Sequence, residues 1–246
     1  MRKMALSLSL LLGAALPAQA DIIVHAGFAG PAPGFNVPLT RFIDLDGDGT
    51  YDPARELSAF QRKHHSLARK NCFIMGLATA VEEGRLVFYG ADSGDSASGE
   101  CYLFRSLDRD GNGVIEGGES VLFADFGKPT GGHSPDGVAA VTGAGGRRVL
   151  YATNDAGGIE GLWRCRDGNR DGDALDPGET VRWAHAGRGL KLGSVALSLL
   201  DLQRIETHPG GGAAAYNDGD FATPAADAFA WLRFREDGRG NPVVDD

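Results

Sequence analysis

The sequence predicts an all-β chain assembled from internal repeats: a β-propeller of about four blades with acidic loops at its hairpin tips, or alternatively an open β-sandwich-like repeat assembly. Three observations carry this expectation. The apolar residues fall in short runs rich in aromatic and β-branched side chains and punctuated by glycine, of which the chain has 37, and such runs read as strands rather than helices. An acidic loop recurs at intervals of about 60 to 70 residues, a period that belongs to repeat architectures. Between loops, each full unit parses into four strands, the content of one propeller blade.

The first element is a leader. "MRKMALSLSLLLGAALPAQA" has the cations Arg2 and Lys3, an apolar run too short to span a bilayer, and a small-x-small ending at Ala18 and Ala20, which reads as a signal peptide over 1–20. The rest, 21–246, is expected to be a single repeat-built β domain with units near 21–60, 61–127, 128–187 and 188–246. The whole chain carries a net charge of −9, and loss of the leader leaves it two charges more acidic. No basic stripe is present, so nucleic acid is not an expected partner. No later run is long enough for a membrane span, and no cysteine follows the cleavage point to take a lipid. The expected location is secreted or periplasmic.

The units share a grammar. "RFIDLDGDGTYDPARE" (41–56), "RSLDRDGNGVIEGGE" (105–119) and "RCRDGNRDGDALDPGE" (164–179) each place an arginine (Arg41, Arg105, Arg164) three residues before the first acid. A leucine (Leu39, Leu103, Leu162) stands two residues earlier, and an aromatic (Phe60, Phe123, Trp183) four residues after the closing glutamate. A fourth copy, "WLRFREDGRGNPVVDD", keeps Trp231 and Arg233 but loses most of its acids. Upstream runs such as "LVFYGADSGD", "VLYATNDAGG" and "AAAYNDGD" place Tyr89, Tyr151 and Tyr216 at what reads as one register. Strands are expected at "GVAAVTG", "RRVLYATN", "GLWRCRD" and "ETVRWAHA", with similar sets starting near Cys72 and Leu200. The first unit reads as short of its innermost strand. Glycines and a proline around the second loop would interrupt the long helices that a helical calcium hand requires, so the loop is expected at the tip of a β-hairpin.

The chemistry of these loops is that of a hard cation. Calcium takes six to eight oxygens at flexible angles, alternate residues of a tight loop can aim side chains inward, and glycine lets the backbone turn. The expected ligands are Asp44, Asp46, Asp48 and Glu56 with the Thr50 carbonyl; Asp108, Asp110, Asn112 and Glu119 with the Val114 carbonyl; and Asp167, Asn169, Asp171 and Glu179 with the Asp173 carbonyl. Magnesium suits them less, because it demands a tighter octahedron. The competing reading is a solvated acidic turn, since Asp, Asn and Gly are also common turn residues; for the fourth loop that reading is preferred. The closing glutamate stands at loop position 12 in the second repeat and 13 in the first and third. The repeated arginines are expected to pair with a loop carboxylate or a neighbouring blade, or to lay their stems across the sheet.

In this grammar the chain resembles the bacterial secreted β-propeller proteins with repeated D-x-[DN]-x-[DN]-G calcium-type loops, "DGNRDGDALDPGE" being the most similar stretch. The resemblance covers nearly all of 21–246. It implies calcium-stabilised blades and surface or matrix roles, and fixes no activity.

Two function classes follow. One is an exported, non-enzymatic calcium-binding protein that engages an extracellular or periplasmic protein, glycan or matrix component. The other is a small exported propeller hydrolase with His65, His133 and His208 lining a central channel. No nucleophile elbow or phosphate loop accompanies those histidines, so the first class is preferred. An oxidising compartment permits one disulfide among Cys72, Cys101 and Cys165, with Cys72–Cys101 the expected pair and three free thiols the alternative.

Overall fold

A computed structural model describes residues 21–25, 39–43, 57–61, 74–92, 101–127, 135–142, 147–185, 202–207, 212–217 and 230–245 with isolated gaps, together with 188, 191–192, 195–196 and alternate positions of the loop between 46 and 55. The described residues form strands and turns and contain no α-helix.

Most of the described strands fall in four antiparallel sheets that follow one another in chain order. The first has three strands, β1 (Asp21–His25), β2 (Leu39–Ile43) and β3 (Leu57–Gln61). The second comprises β4 (Ile74–Glu82), β5 (Arg85–Asp92), β6 (Tyr102–Leu107) and β7 (Ser120–Asp125). The third comprises β8 (Gly137–Thr142), β9 (Arg148–Asn154), β10 (Gly161–Cys165) and β11 (Thr180–Ala184). A two-stranded ribbon, β12 (Lys191–Leu192) and β13 (Val195–Ala196), was not anticipated. The last sheet holds β14 (Leu202–Thr207), β15 (Ala213–Asn217), β16 (Ala230–Glu236) and β17 (Pro242–Asp245). Within each sheet the strands neighbour one another in sequence order. In the first sheet Ile23 lies opposite Arg41, as Tyr89 lies opposite Arg105 in the second. Thus β1 takes the place of the second strand of the larger sheets.

The apolar runs are explained by burial on both faces. Along β9, Val149 and Tyr151 face a core shared with the last sheet, among Leu202, Ile205, Ala213, Leu232 and Phe234. Its alternate residues Leu150 and Ala152 face a core shared with the second sheet, among Tyr89, Leu103, Phe123 and Phe126. A sheet covered on both sides reads as a continuous apolar run rather than as alternation. On its far side, the second sheet packs Ile74, Phe88, Phe104 and Ile115 together. Each fully buried large side chain contributes about 1.5–3 kcal/mol relative to exposure.

The first strands of these sheets pack side by side, β8 against both β4 and β14. Glycine makes that approach possible. A Cβ on Gly76 would lie 2.7 Å from the Cα of Gly137 and 2.9 Å from the Val138 nitrogen, and one on Gly137 would lie 2.9 Å from Ile205. The described residues form no closed barrel and no closed propeller ring, so the all-β expectation holds at the level of stacked four-stranded sheets.

The repeated aromatic has a structural role that the sequence did not disclose. Register shifts fall between Leu39 and Thr40, Leu103 and Phe104, and Leu162 and Trp163. The residue left out of each ladder is Phe60, Phe123 or Trp183, the aromatic of the grammar. A β-bulge re-aims a side chain, and in the second and third sheets Phe123 meets Tyr89 edge-on at 5.1 Å and Trp183 meets Tyr151 at 5.0 Å.

One register expectation is corrected. Tyr89 and Tyr151 lie opposite Arg105 and Arg164, but Tyr216 lies opposite Trp231, and Ala214 opposite Arg233. Ala214 therefore holds the tyrosine's place, and Tyr216 sits two residues further along the same strand. The cysteine expectation is also corrected: Cys101 and Cys165 are free and buried, each packed in the apolar core between the second and third sheets. Cys72 lies outside the described residues, as do His65, His133 and His208.

Candidate metal centre

The acidic segments connect the third and fourth strands of the larger sheets, β6 to β7 and β10 to β11, and the last two strands of the first, β2 to β3. They are hairpin tips, as expected.

In the second loop the main chain coils so that Asp108, Asp110 and Asn112 each accept from a main-chain amide two or three residues ahead. Gly111 donates to Asp108 Oδ1 at 2.7 Å, Asn112 to Asp110 Oδ1 at 3.0 Å, and Val114 to Asn112 Oδ1 at 2.8 Å. These are Asx-type turns, which aspartate and asparagine favour because their short side chains reach their own backbone. Glu119 returns across the loop. Its Oε1 accepts from the Arg109 amide at 2.6 Å and its Oε2 from Glu116 at 3.0 Å. The outcome is a group of three carboxylates, Asp108, Asp110 and Glu119, whose oxygens lie within 4.8 Å of one another. This group could hold a metal ion. It is the one such group of three or more potential ligand residues among the described residues. Like charges about 4 Å apart repel by about 1 kcal/mol in bulk water and about 4 kcal/mol at an effective dielectric of 20, so a bound cation would relieve a real cost.

The third loop repeats this closure despite its extra residue. Glu179 Oε1 accepts from Gly168 at 2.7 Å and Asn169 at 3.2 Å, matching Glu119 with Arg109 and Asp110. The amides of Glu119 and Glu179 bond back to the carbonyls of Glu116 and Asp176 in the same way. The extra residue is Leu175, which stands exposed between the buried Ala174 and the closing turn. Position 13 here is therefore equivalent to position 12 in the second loop. Asp167 accepts from Arg170 and Gly172, Asn169 from Asp171, and Asp171 from Asp173. Glu179 Oε2 is buried with no hydrogen-bond partner, a carboxylate oxygen that lacks the donor such atoms normally have. The carboxylates of this loop do not gather as closely as those of the second.

In the first loop, Asp46, Asp48 and Thr50 are exposed, and Asp48 Oδ1 accepts from both the Thr50 amide and hydroxyl at 2.7 Å. The hydroxyl bond, then the amide bond, hold the Asp48 carboxyl below its ordinary value. Asp44 and Glu56 lie outside the described residues. The fourth hairpin is a short turn in which Asp237 accepts from the amides of Arg239 at 2.7 Å and Asn241 at 2.8 Å, and from the Asn241 side chain at 3.1 Å. Those bonds, the Asn241 amide foremost, hold the Asp237 carboxyl low. Its carboxylate is thus occupied by its own turn.

Each loop is also docked by features that sequence reasoning passed over. The residue after the inner glycine and its neighbour is apolar and buried, Ile115 in the second loop and Ala174 in the third. The Ala174 amide donates to the Phe123 carbonyl of the preceding sheet at 2.7 Å. One sheet further, the Gly240 carbonyl accepts from Trp183 Nε1 at 2.9 Å and Arg164 Nη1 at 3.1 Å. The tips of the third and fourth hairpins therefore rest on the bulge aromatic of the sheet before them. Of the repeated arginines, Arg164 meets the neighbouring sheet as expected, Arg105 meets a carboxylate of its own sheet, and the side chain of Arg41 lies outside the described residues. Arg105 Nη2 pairs with Glu82 at 2.7 Å, and the Tyr89 hydroxyl donates to the same carboxylate. Arg164 and Arg166 pair with Glu236 of the last sheet at 2.8 and 3.0 Å. Burial, more than the adjacent carboxylates, pushes the Tyr89 and Tyr151 hydroxyls far above their ordinary value, so both stay protonated donors.

The chain matches no known family description, no curated protein and no solved structure.

Proposed function

We propose that the chain is an exported, four-bladed β-propeller whose hairpin loops bind calcium, and that it acts as a non-enzymatic binding or interaction protein outside the cytoplasm. The observation that carries this reading is the convergence of Asp108, Asp110 and Glu119 at a hairpin tip. The same closure around Glu179 in the third loop supports it. The propeller assignment is supported by the face-to-face stacking of sheets whose first strands adjoin. Oxygen-only donors on a flexible loop suit calcium over zinc, which prefers nitrogen and sulfur, and over magnesium, which requires a stricter octahedron.

Calcium in this reading locks the hairpin tips that rest on neighbouring sheets, leaving the loops and sheet edges to recognise a protein, glycan or matrix partner. The test is a thermal melt of the exported chain in chelator, in calcium and in magnesium. A site at a hundredfold excess over its dissociation constant adds about 2.7 kcal/mol, or upward of about 5 °C for a domain of this size. Calcium is expected to raise the melting temperature and magnesium to restore little. Three superimposed curves would reduce the loops to acidic turns. A pull-down from the native exported fraction, with and without calcium, then tests the partner.

A further inference from the structure

Between the second and third sheets lies a cleft of ≈ 750 Å³ with five arginines in its wall. One of them, Arg105, is neutralised by Glu82 at 2.7 Å. The others, Arg85, Arg147, Arg148 and Arg170, form no ion pair with a carboxylate among the described residues. Arg85 and Arg148 spend one nitrogen each on main-chain carbonyls, those of Arg109 and Val81, both at 3.1 Å. The Nε of Arg148 is buried without an acceptor, which is uncommon for a buried donor.

Acids also line the cleft, but most are engaged elsewhere. Asp167 accepts from the amides of Arg170 and Gly172, and Asp171 from the Asp173 amide and the Asn169 side chain. Both are thereby tied into the third loop. Glu83 stands exposed in the β4–β5 turn.

The interface one sheet further shows what this position of the fold accepts. There Glu236, which stands three residues after Arg233 as Asp167 stands three after Arg164, inserts its carboxylate between Arg164 and Arg166. At the cleft the matching residue is the shorter Asp167, turned back into its own loop, so the space is left open.

Arg170 gives an independent reason to look here. Its φ is 70°, a left-handed conformation, and the matching residue of the second loop, Gly111, has φ 74°. A non-glycine residue in that region is strained, and such strain concentrates at functional positions. The third loop thus carries an arginine facing the cleft where the backbone favours glycine.

We propose that this cleft is a binding site for a small carboxylate ligand, a free organic acid or an acidic sugar, held by Arg147, Arg148 and Arg170. Guanidinium groups bind carboxylates through paired, charge-assisted hydrogen bonds. The inference goes beyond the metal reading and stands on the cleft alone.

The test is titration calorimetry of the wild type and Arg170→Gly with succinate, glucuronate, glucose and inorganic phosphate. It is run in calcium and again with protein and buffers stripped of metal on a chelating resin, so that failure of the metal reading leaves it intact and no soluble polycarboxylate competes for the cleft. The wild type is expected to bind succinate or glucuronate, whichever is tighter marking the source, and to bind glucose and phosphate less well. Arg170→Gly relieves the backbone and is expected to melt no lower than the wild type, yet to weaken carboxylate binding about tenfold or more. Arg148→Ala is expected to weaken it likewise. The proposal is overturned if neither carboxylate binds the wild type, if phosphate or glucose binds as tightly, or if a folded Arg170→Gly binds as well as the wild type.

Discussion

Replacing Glu236 with alanine should loosen the last sheet from the third, and the structure fixes the scale of the effect. The carboxylate accepts from Arg164 Nη1 at 2.8 Å and from Arg166 Nη2 at 3.0 and 3.3 Å, with the Tyr151 hydroxyl at 3.5 Å. A hydrogen bond to a charged group contributes about 1.5–3 kcal/mol when sheltered. The Arg164 and Glu236 side chains are 18% and 26% exposed, so that pair keeps most of its value. Arg166 is 36% exposed, and solvent screening reduces its share to about 0.5 kcal/mol. The long Tyr151 contact is worth little. Glu236→Ala should therefore cost about 2–3 kcal/mol. At about 2–4 °C per kcal/mol for a domain of this size, the melting temperature should drop by roughly 4–12 °C. Calorimetric melts of the variant, with the exposed-site control Glu206→Ala, provide the assay. Glu236→Gln should fall between, because it keeps an acceptor and loses the charge. A Glu236→Ala variant melting within about 1 °C of the wild type would refute the view that this contact joins the sheets.

Two further outcomes are expected from the same geometry. Gly76→Ala should destabilise by about 1–3 kcal/mol, because its Cβ would meet the backbone of Gly137 and Val138 at 2.7 and 2.9 Å; Gly118→Ala, with nothing within 4 Å, should be nearly neutral in the same urea titration. In a Cys72→Ser background, a thiol reagent should react with neither Cys101 nor Cys165 until the protein unfolds, since burial pushes both thiols up to about 12 and the thiolate is the reactive form; rapid stoichiometric labelling of the native protein would contradict the packing described.

The strand units were legible because apolar runs bounded by glycine and polar residues leave little choice but strands, and the loop grammar fixed their spacing. The loop residues were legible for a related reason: alternate Asp and Asn side chains capture nearby amides locally, so their arrangement follows from sequence neighbours. What depended on partners distant in sequence was not legible. Tyr216 was aligned by its ring, whereas the ladder aligns Ala214 with Tyr89 and Tyr151. The bulge at Phe123 and Trp183 leaves no mark beyond the aromatic itself. That Arg105 is met by Glu82 within its own sheet while Arg164 is met by Glu236 from the next follows from which carboxylate the fold brings near. The arginine cleft likewise assembles residues from the β4–β5 turn, β9 and the third loop, which no local pattern links. Leu175 could have been found, since aligning the loops on their closing turns rather than on their first acids exposes the extra residue.

The most direct test of the central claim is calcium titration calorimetry of the chain from Asp21 onward beside its Glu119→Ala variant. If Asp108, Asp110 and Glu119 hold a calcium ion, the wild type should bind calcium at one site or more. The variant should show one site fewer, or one site weakened by several-fold, with the fold intact by circular dichroism, since well-separated sites act independently. No calcium binding by the wild type, or the same number of sites and the same affinity in both proteins, would contradict it.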